Sequence, residues 1–514
     1  MNLRIAFLAL AVLLLTASLA FAVDGPPGAL ASARDLLHAG RYADATAAAE
    51  AIVGSTNDSD VLCGAVDVII ACSLAVGDFD GAAQAAQDLK SRTTDPATLT
   101  YLDTQIVDIK AKQAAYERTI AELERTLAAH PYDEVGAEVA YKIGAAKLFR
   151  GGLQEALTAY ERVASDFPSS DWALRSWLDM AAIQQRLAKP IDAEGLYNQV
   201  IAAAPQSAHA ARAVAGIKDL VLAQGNPDGA KQRMTDIAAR NPGTEASAMA
   251  EYCQGELLLV AGKLAEGMAA LDKVVSDRAG TVAATSAIAR IDAVGRDQLD
   301  KAHGFTGARN FDEAVAAYED VINLAPRSKW VPEARRHLGA IAQMQGRCDD
   351  AMAQFKAIID GYDPGVRDPQ IADCRAWALY LSGQLYVFLG DRPKAIGQFE
   401  RLISEQPDTK PGHFAYLELA DACSKIGEYE RGIAALQSAI ARYPGTETAG
   451  GAQWAIGQLL RGQGKDEEAK AAFQLVISQY SGVAGCDVYV KSAQETLAAM
   501  ASIEARTAPE GGAK

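Results

Sequence analysis

The sequence predicts an all-α fold, a right-handed superhelical solenoid of about twelve antiparallel helix pairs closed by a C-terminal capping helix. Three observations predict it. A beat of small or turn-forming residues returns every 37 residues, at Gly40, Gly77, Ala114, Gly151, Ala188, Gly225 and Gly262, again from Arg309 to Gly346, and from Gly390 through Gly427 to Gly464. Apolar residues recur at helical spacing on both sides of each beat. Proline stands 17 residues after many of the beats, at Pro131, Pro168, Pro205, Pro242, Pro326, Pro407 and Pro444. Periods of this size mark stacked supersecondary units, each unable to bury its apolar face without its neighbours.

In chain order, residues 1–22 read as a secretory signal peptide. Arg4 lies in a short n-region, an apolar run follows from Ile5 to Leu15, and Ala20-Phe21-Ala22 forms a small-x-small cleavage site. The competing reading is a membrane anchor. No cysteine follows the run closely, the first being Cys63, which argues against a lipid anchor, and no later segment is apolar enough to span a bilayer.

Residues 26–96 hold two atypical helical repeats, with Ala49 and Ala86 where later units carry a large apolar residue and Asn57 and Thr94 at the proline position. Either they are terminal repeats lacking a neighbour on one side, or they pack as a semi-independent cap. The solenoid proper spans 97–485. Residues 486–503 give one amphipathic helix with no partner, which covers the last apolar face, and 504–514 have nothing to bury and are expected to be disordered.

Within a unit, the position five after the beat is small, as at Ala156, Ala193, Ala351, Ala395 and Ala469. Four further on stands a large apolar residue: Tyr160, Tyr197, Phe355, Phe399, Phe473. The i, i+4 spacing puts the two on one helical stripe, and the proline stops that helix because it has no N–H and clashes with the preceding turn. Seven before the beat, glycine recurs at Gly144, Gly255, Gly339, Gly383 and Gly457. A glycine inside a helix costs about 1 kcal/mol against alanine, so its phased recurrence points to close helix packing. Ser169 or Ser170, Thr244 and Thr446 stand where they can cap the next helix. Each unit therefore reads helix A, turn, helix B, proline turn.

These marks resemble the tetratricopeptide repeat. Gly457, Gly464, Ala469 and Phe473 carry the resemblance most clearly, although Ser481 takes the proline position; Gly427, Gly432, Leu436 and Pro444 keep the spacing with two residue types relaxed. The family period is 34, and the three extra residues per unit resemble repeats of bacterial cell-envelope proteins. The resemblance covers about residues 26–503 and implies a protein-binding scaffold whose A helices line the concave face. The family's lysine and asparagine clamp for a C-terminal carboxylate is not filled in that way here.

Composition excludes some partners. Without the signal peptide the chain has 48 basic and 65 acidic residues, a net charge of −17, which repels nucleic acid and anionic membrane. Seven cysteines in an exported chain invite disulfides, but Cys63 and Cys72 lie nine apart on one helix and the others fall in different units. Buried free thiols are the expectation. The six histidines stand singly, with no zinc-motif or nucleophile signature; no catalytic residue, cofactor or metal is expected, and the chain reads as a non-enzyme.

Candidate contacts for a partner are the helix-A residues outside the core. Ten before the beat stand Tyr141, Tyr252, Arg336, Tyr380 and Trp454, and thirteen before it stand Arg175, Arg212, Trp377 and Phe414. Aromatic anchors with occasional arginines suit an extended peptide or an amphipathic helix. The competing reading is that a large ring on helix A packs against its neighbour. Two steps of the beat are long, by ten residues near 300–310 and by seven near 364–371; these are either loops on a binding face or neutral length variation.

The function expected is a non-enzymatic exported scaffold or adaptor in the periplasm or outside the cell, binding a protein or peptide or another copy of itself, with no nucleic acid and no integral membrane segment after signal cleavage. The alternatives are a self-assembling structural protein of the envelope and an all-α carbohydrate-active enzyme.

Overall fold

A computed structural model describes residues 29–56 and 58–507; the expected signal peptide at 1–22 and residues 508–514 of the expected tail lie outside the described residues. Those described form 24 α-helices and no strand, an all-α helical repeat solenoid. They divide into two compact units, 29–257 with 281–283, and 258–280 with 284–507.

The first unit opens with α1 (Ala29–His38), α2 (Tyr42–Ser55), α3 (Ser59–Ala75) and α4 (Phe79–Arg92). The long helix α5 (Pro96–Ala129) follows, then α6 (Glu134–Phe149) with α7 (Leu153–Asp166) and α8 (Asp171–Arg186) with α9 (Pro190–Ala203). The pair α10 (Ala208–Ala223) and α11 (Pro227–Arg240) precedes α12 (Glu245–Val260), most of which belongs to this unit.

The second unit holds α13 (Leu264–Asp277), α14 (Val282–Gly307) with α15 (Phe311–Leu324), and α16 (Val331–Met344) with α17 (Cys348–Gly361). After these come α18 (Pro369–Phe388) with α19 (Arg392–Glu405), α20 (Lys410–Lys425) with α21 (Tyr429–Arg442), α22 (Glu447–Gly462) with α23 (Asp466–Tyr480), and α24 (Asp487–Thr507). The last helix thus runs four residues into the stretch expected to be disordered from 504.

The beat marks a left-handed joint. Gly40, Gly77, Gly151, Gly225, Gly262, Gly346, Gly390, Gly427 and Gly464 all have φ between 71° and 82°, and Ala188 and Arg309 adopt the same region at 56° and 61°. Glycine dominates there because a Cβ collides with the following carbonyl in that conformation. Ala114 departs from the expectation. No turn forms, and α5 runs through it for 34 residues, so the described residues make eleven pairs, one continuous helix and the final helix α24. Lys110 to Arg118 are, Tyr116 apart, strong helix formers with no glycine or proline among them, whereas Ala188 is followed by Pro190 at the start of α9, and Arg309 by the N-cap Asn310. Along α5 the buried residues Leu102, Ile109, Tyr116 and Leu123 recur every seven, a single stripe of the kind used in coiled coils.

The phased glycines are explained by contact. A Cβ on Gly339, Gly383 or Gly457 would sit 2.4, 2.5 or 2.6 Å from the ring of Phe355, Phe399 or Phe473, and one on Gly144 would sit 2.7 Å from Tyr160. Each ring comes from the B helix of the same pair and fills the gap the glycine leaves. The small residues Ala156, Ala351, Ala395 and Ala469 and the rings of Phe355, Phe399 and Phe473 have no solvent exposure. Ser170, Thr244 and Thr446 accept the backbone N–H of Ala173, Ser247 and Ala449 at 3.1, 3.2 and 3.4 Å, the capping expected of them; of the two serines it is Ser170 that caps.

The long steps are mainly helix, not loop. The A helices α8 and α12 have 16 residues, but α14 has 26, which absorbs all ten extra residues. Helix α18 has 20, leaving three of its seven in the connection before Asp368. All seven cysteines are free; Cys72, Cys253, Cys374, Cys423 and Cys486 are buried. Among the described residues no helix is long and apolar enough to cross a membrane.

Candidate functional site

The candidate contact residues sit on A helices, and the polar tips of three of them reach the next A helix. In the first unit the Tyr141 phenol on α6 donates to Asp179 Oδ2 on α8 at 2.7 Å. In the second, Tyr380 on α18 donates to Glu418 Oε1 on α20 at 3.1 Å, and Trp454 Nε1 on α22 donates to Ser492 Oγ on α24 at 3.1 Å. Each pair is separated by 38 residues, because stacking one unit on the next sets the position ten before one beat against the position nine before the following one. Burial, with the adjoining carboxylate, pushes the phenols of Tyr141 and Tyr380 well above the usual range.

Around Tyr141 the first unit assembles an aromatic and charged patch. Its ring lies 5.5 Å from Tyr160 and 5.0 Å from Trp172. The Arg175 guanidinium stands 4.6 Å over the Trp172 ring and pairs with Asp171 at 2.8 Å, while His209 holds the other oxygen of Asp171 at 2.7 Å. Arg212 on α10 is exposed and makes no ion pair among the described residues. Tyr252 is half-buried on α12. The sequence did not single out Trp172 or His209.

In the second unit α18 and α20 bring Trp377, Tyr380 and Phe414 together. Trp377 meets Tyr380 edge-on at 5.8 Å and Phe414 lies 6.1 Å from the same ring. Tyr380 is 9% exposed and Phe414 39%, so the first is a base and the second a surface. The Lys410 ammonium stands 5.9 Å above the Phe414 ring. Trp454 packs 5.9 Å from Tyr489 of α24.

Arg336 lies elsewhere, in a cluster that corrects the reading of the histidines as scattered. His303 of α14 and His337 of α16 have ring centroids 4.8 Å apart, and Glu333 stands with them so that one donor atom of each lies within 4.8 Å of the others. Tyr318 stacks on His337 at 5.3 Å. Burial, then the charges of Arg336 and His303, pushes the His337 imidazole down to about 3, so the ring is neutral. Glu333 and His337 are one helical turn apart, a spacing visible in the sequence, but His303 arrives 30 residues earlier on a different helix and nothing local announces it.

Two family profiles, both described as tetratricopeptide repeat, match the chain: one at residues 219–283, 299–365, 380–447 and 417–484, the other at 138–170. The chain belongs to the tetratricopeptide repeat family. Its repeats are the pairs described above, and such repeats bind protein partners and are as a rule non-enzymatic scaffolds. No curated protein matches this tetratricopeptide repeat chain. Among solved structures it is similar to the MamA protein, at 23% identity over 36% of this chain and 91% of that one, with a TM-score of 0.29. A tetratricopeptide repeat protein from Parabacteroides merdae matches at 17% identity over 56% and 98%, TM-score 0.23, and yeast Tom70 at 12% over 93% and 96%, TM-score 0.31.

Proposed function

We propose that this tetratricopeptide repeat protein is an exported, non-enzymatic scaffold of the cell envelope that holds an extended peptide or an amphipathic helix of a partner along its A helices. The observation that carries the proposal is the Trp377–Tyr380–Phe414 patch. Tyr380 is fixed from below by Glu418, leaving the half-exposed Trp377 and the exposed Phe414 as an apolar surface formed by two adjacent A helices. Aromatic side chains anchored in this way are the usual hot spots of peptide recognition. Export is supported by the signal-peptide pattern of residues 1–22, and the acidic surface favours a protein partner over nucleic acid.

Two measurements test this. Residues 1–30 fused to an alkaline phosphatase lacking its own leader are expected to give activity in the periplasm; a fusion retained in the cytoplasm rejects export. Mature protein, and a Trp377→Ala/Phe414→Ala variant of unchanged helicity, are then used to capture partners from an envelope fraction. Loss of specific partners from the variant is expected, and an identical set from both rejects the patch as the binding surface.

A further inference from the structure

The two insertions converge on one carboxylate. The ten extra residues lengthen α14 and carry His303, whose Nε2 lies 3.8 Å from Glu333 Oε1. The seven extra residues carry Gln370, whose Nε2 donates to Glu333 Oε2 at 2.7 Å. On α16 itself, His337 Nε2 faces the same Oε1 at 4.0 Å, one turn from Glu333. One oxygen of Glu333 is thus fixed by an amide and the other looks at two imidazole nitrogens. His303 Nε2 is shielded from solvent and has no hydrogen-bond partner.

We propose that His303, Glu333 and His337 form a site for a divalent transition-metal ion of the zinc type, oriented by Gln370 and controlled by Arg336. Two imidazoles and a carboxylate suit zinc and its neighbours in hardness better than calcium or magnesium, which take oxygen ligands. Zn–N and Zn–O bonds of about 2.0–2.2 Å in tetrahedral geometry place donor atoms about 3.3–3.6 Å apart. The separations here, 3.8 and 4.0 Å to Glu333 with every pair within 4.8 Å, are wider than that range and close to it by side-chain rotation. Gln370 plays the outer-shell part that normally fixes a ligating carboxylate. Three protein donors leave a fourth position for water or for a side chain of a bound partner.

Arg336 is the competitor. Its Nη2 lies 3.0 Å from His337 Nε2 and 4.0 Å from Glu333 Oε1, and its Nε is buried with no partner. The guanidinium therefore supplies the positive charge at Glu333 that a metal would supply, and must withdraw from His337 for the ion to enter. Asp373 of α18 lies close enough for the Arg336 charge to act on its carboxyl.

The test is zinc binding by the full-length mature chain, measured by competition with a chromophoric chelator, with cobalt absorption as a second readout of tetrahedral nitrogen and oxygen ligation. One equivalent is expected. His303→Ala and His337→Ala should weaken binding at least 10-fold and Gln370→Ala about 10-fold, while Arg336→Gln should tighten it. His413→Ala, on α20, should change nothing. Zinc uptake that is absent, or equal in wild type and in His303→Ala of unchanged circular dichroism, overturns the proposal. If His337→Ala fails to fold, Gln370→Ala and Arg336→Gln decide: no change in affinity in either also overturns it.

Discussion

The hydroxyl of Tyr141 donates to the carboxylate of Asp179 from one A helix to the next, at 2.7 Å across 38 residues of sequence. The same contact returns as Tyr380 to Glu418, so the aromatic residue ten before the beat is a rung between repeats as well as a surface. Tyr141→Phe removes the hydrogen bond and keeps the ring, and is expected to destabilise by about 0.5–1.5 kcal/mol, or up to about 3 because the acceptor is charged. A double-mutant cycle with Asp179→Ala, followed by chemical denaturation, checks this; additive effects would show that the rung contributes nothing.

Two glycines of the same repeat should respond to alanine with opposite sign. At Gly383 the new methyl meets the fully buried Phe399 ring at 2.5 Å, and a loss of about 1–3 kcal/mol is expected. At Gly397, exposed on α19 with nothing within 4 Å, alanine should stabilise by about 0.5–1 kcal/mol. Shifts of the same sign in unfolding midpoint would contradict the packing account.

The beat position gives a second pair. Ala188 has φ of 56°, and the left-handed region costs a residue with a Cβ about 1–2 kcal/mol. Ala188→Gly should therefore stabilise by a fraction of that, the rest being offset by glycine's freedom in the unfolded chain. Ala114, at the same phase but inside α5, should lose about 1 kcal/mol on replacement by glycine. Thermal unfolding of the two variants is the comparison.

How much of this was legible in the sequence follows from how local each signal is. The joint at Gly390, the stop at Pro407 and the stacking of Phe399 on Gly383 are marked by residue types at fixed offsets, so helices and core could be placed from one unit and carried to the rest. Ala114 broke the rule because small residues are acceptable both at a turn and inside a helix, and its neighbours decide. The extra length near 300–310 is compatible with a binding loop or with neutral variation on sequence alone, because a gain of ten residues marks an insertion without marking its conformation; the structure places it in α14. Tyr380 stands at a contact position of its helix, yet whether its ring faces a partner or Phe414 depends on a helix 34 residues away, which no pattern in its own unit reveals.

Arg375 has no side-chain exposure; its guanidinium bonds to Glu405 and donates to the Tyr362 carbonyl at 3.1 Å. Burial raises the Glu405 carboxyl, but hydrogen bonds from Arg375 and Arg401 outweigh it and hold the group below its ordinary value. A depressed carboxyl stabilises the fold above its unfolded pKa, and that contribution is lost as pH falls through the lower folded value. Acid unfolding of wild type should therefore steepen below about pH 4, and Glu405→Gln should blunt this dependence. Arg375→Met leaves the carboxylate short of a partner and is expected to cost about 3 kcal/mol or more, read from denaturant midpoints at neutral pH.

The uninterrupted helix α5 has a consequence for how the protein opens. In repeat arrays, fraying advances unit by unit because each is held by its own fold and its nearest neighbours. Elsewhere a left-handed joint separates one helix of a pair from the other, so either can loosen first. With one buried stripe from Leu102 to Leu123 and no joint at Ala114, the helix before it and the helix after it share a single rod, and disorder entering from the N-terminal side must melt all of that rod or stop at its start. Hydrogen exchange should accordingly show the central amides of α5 exchanging with one common opening energy; two separate values on either side of Ala114 would mean that the rod breaks after all.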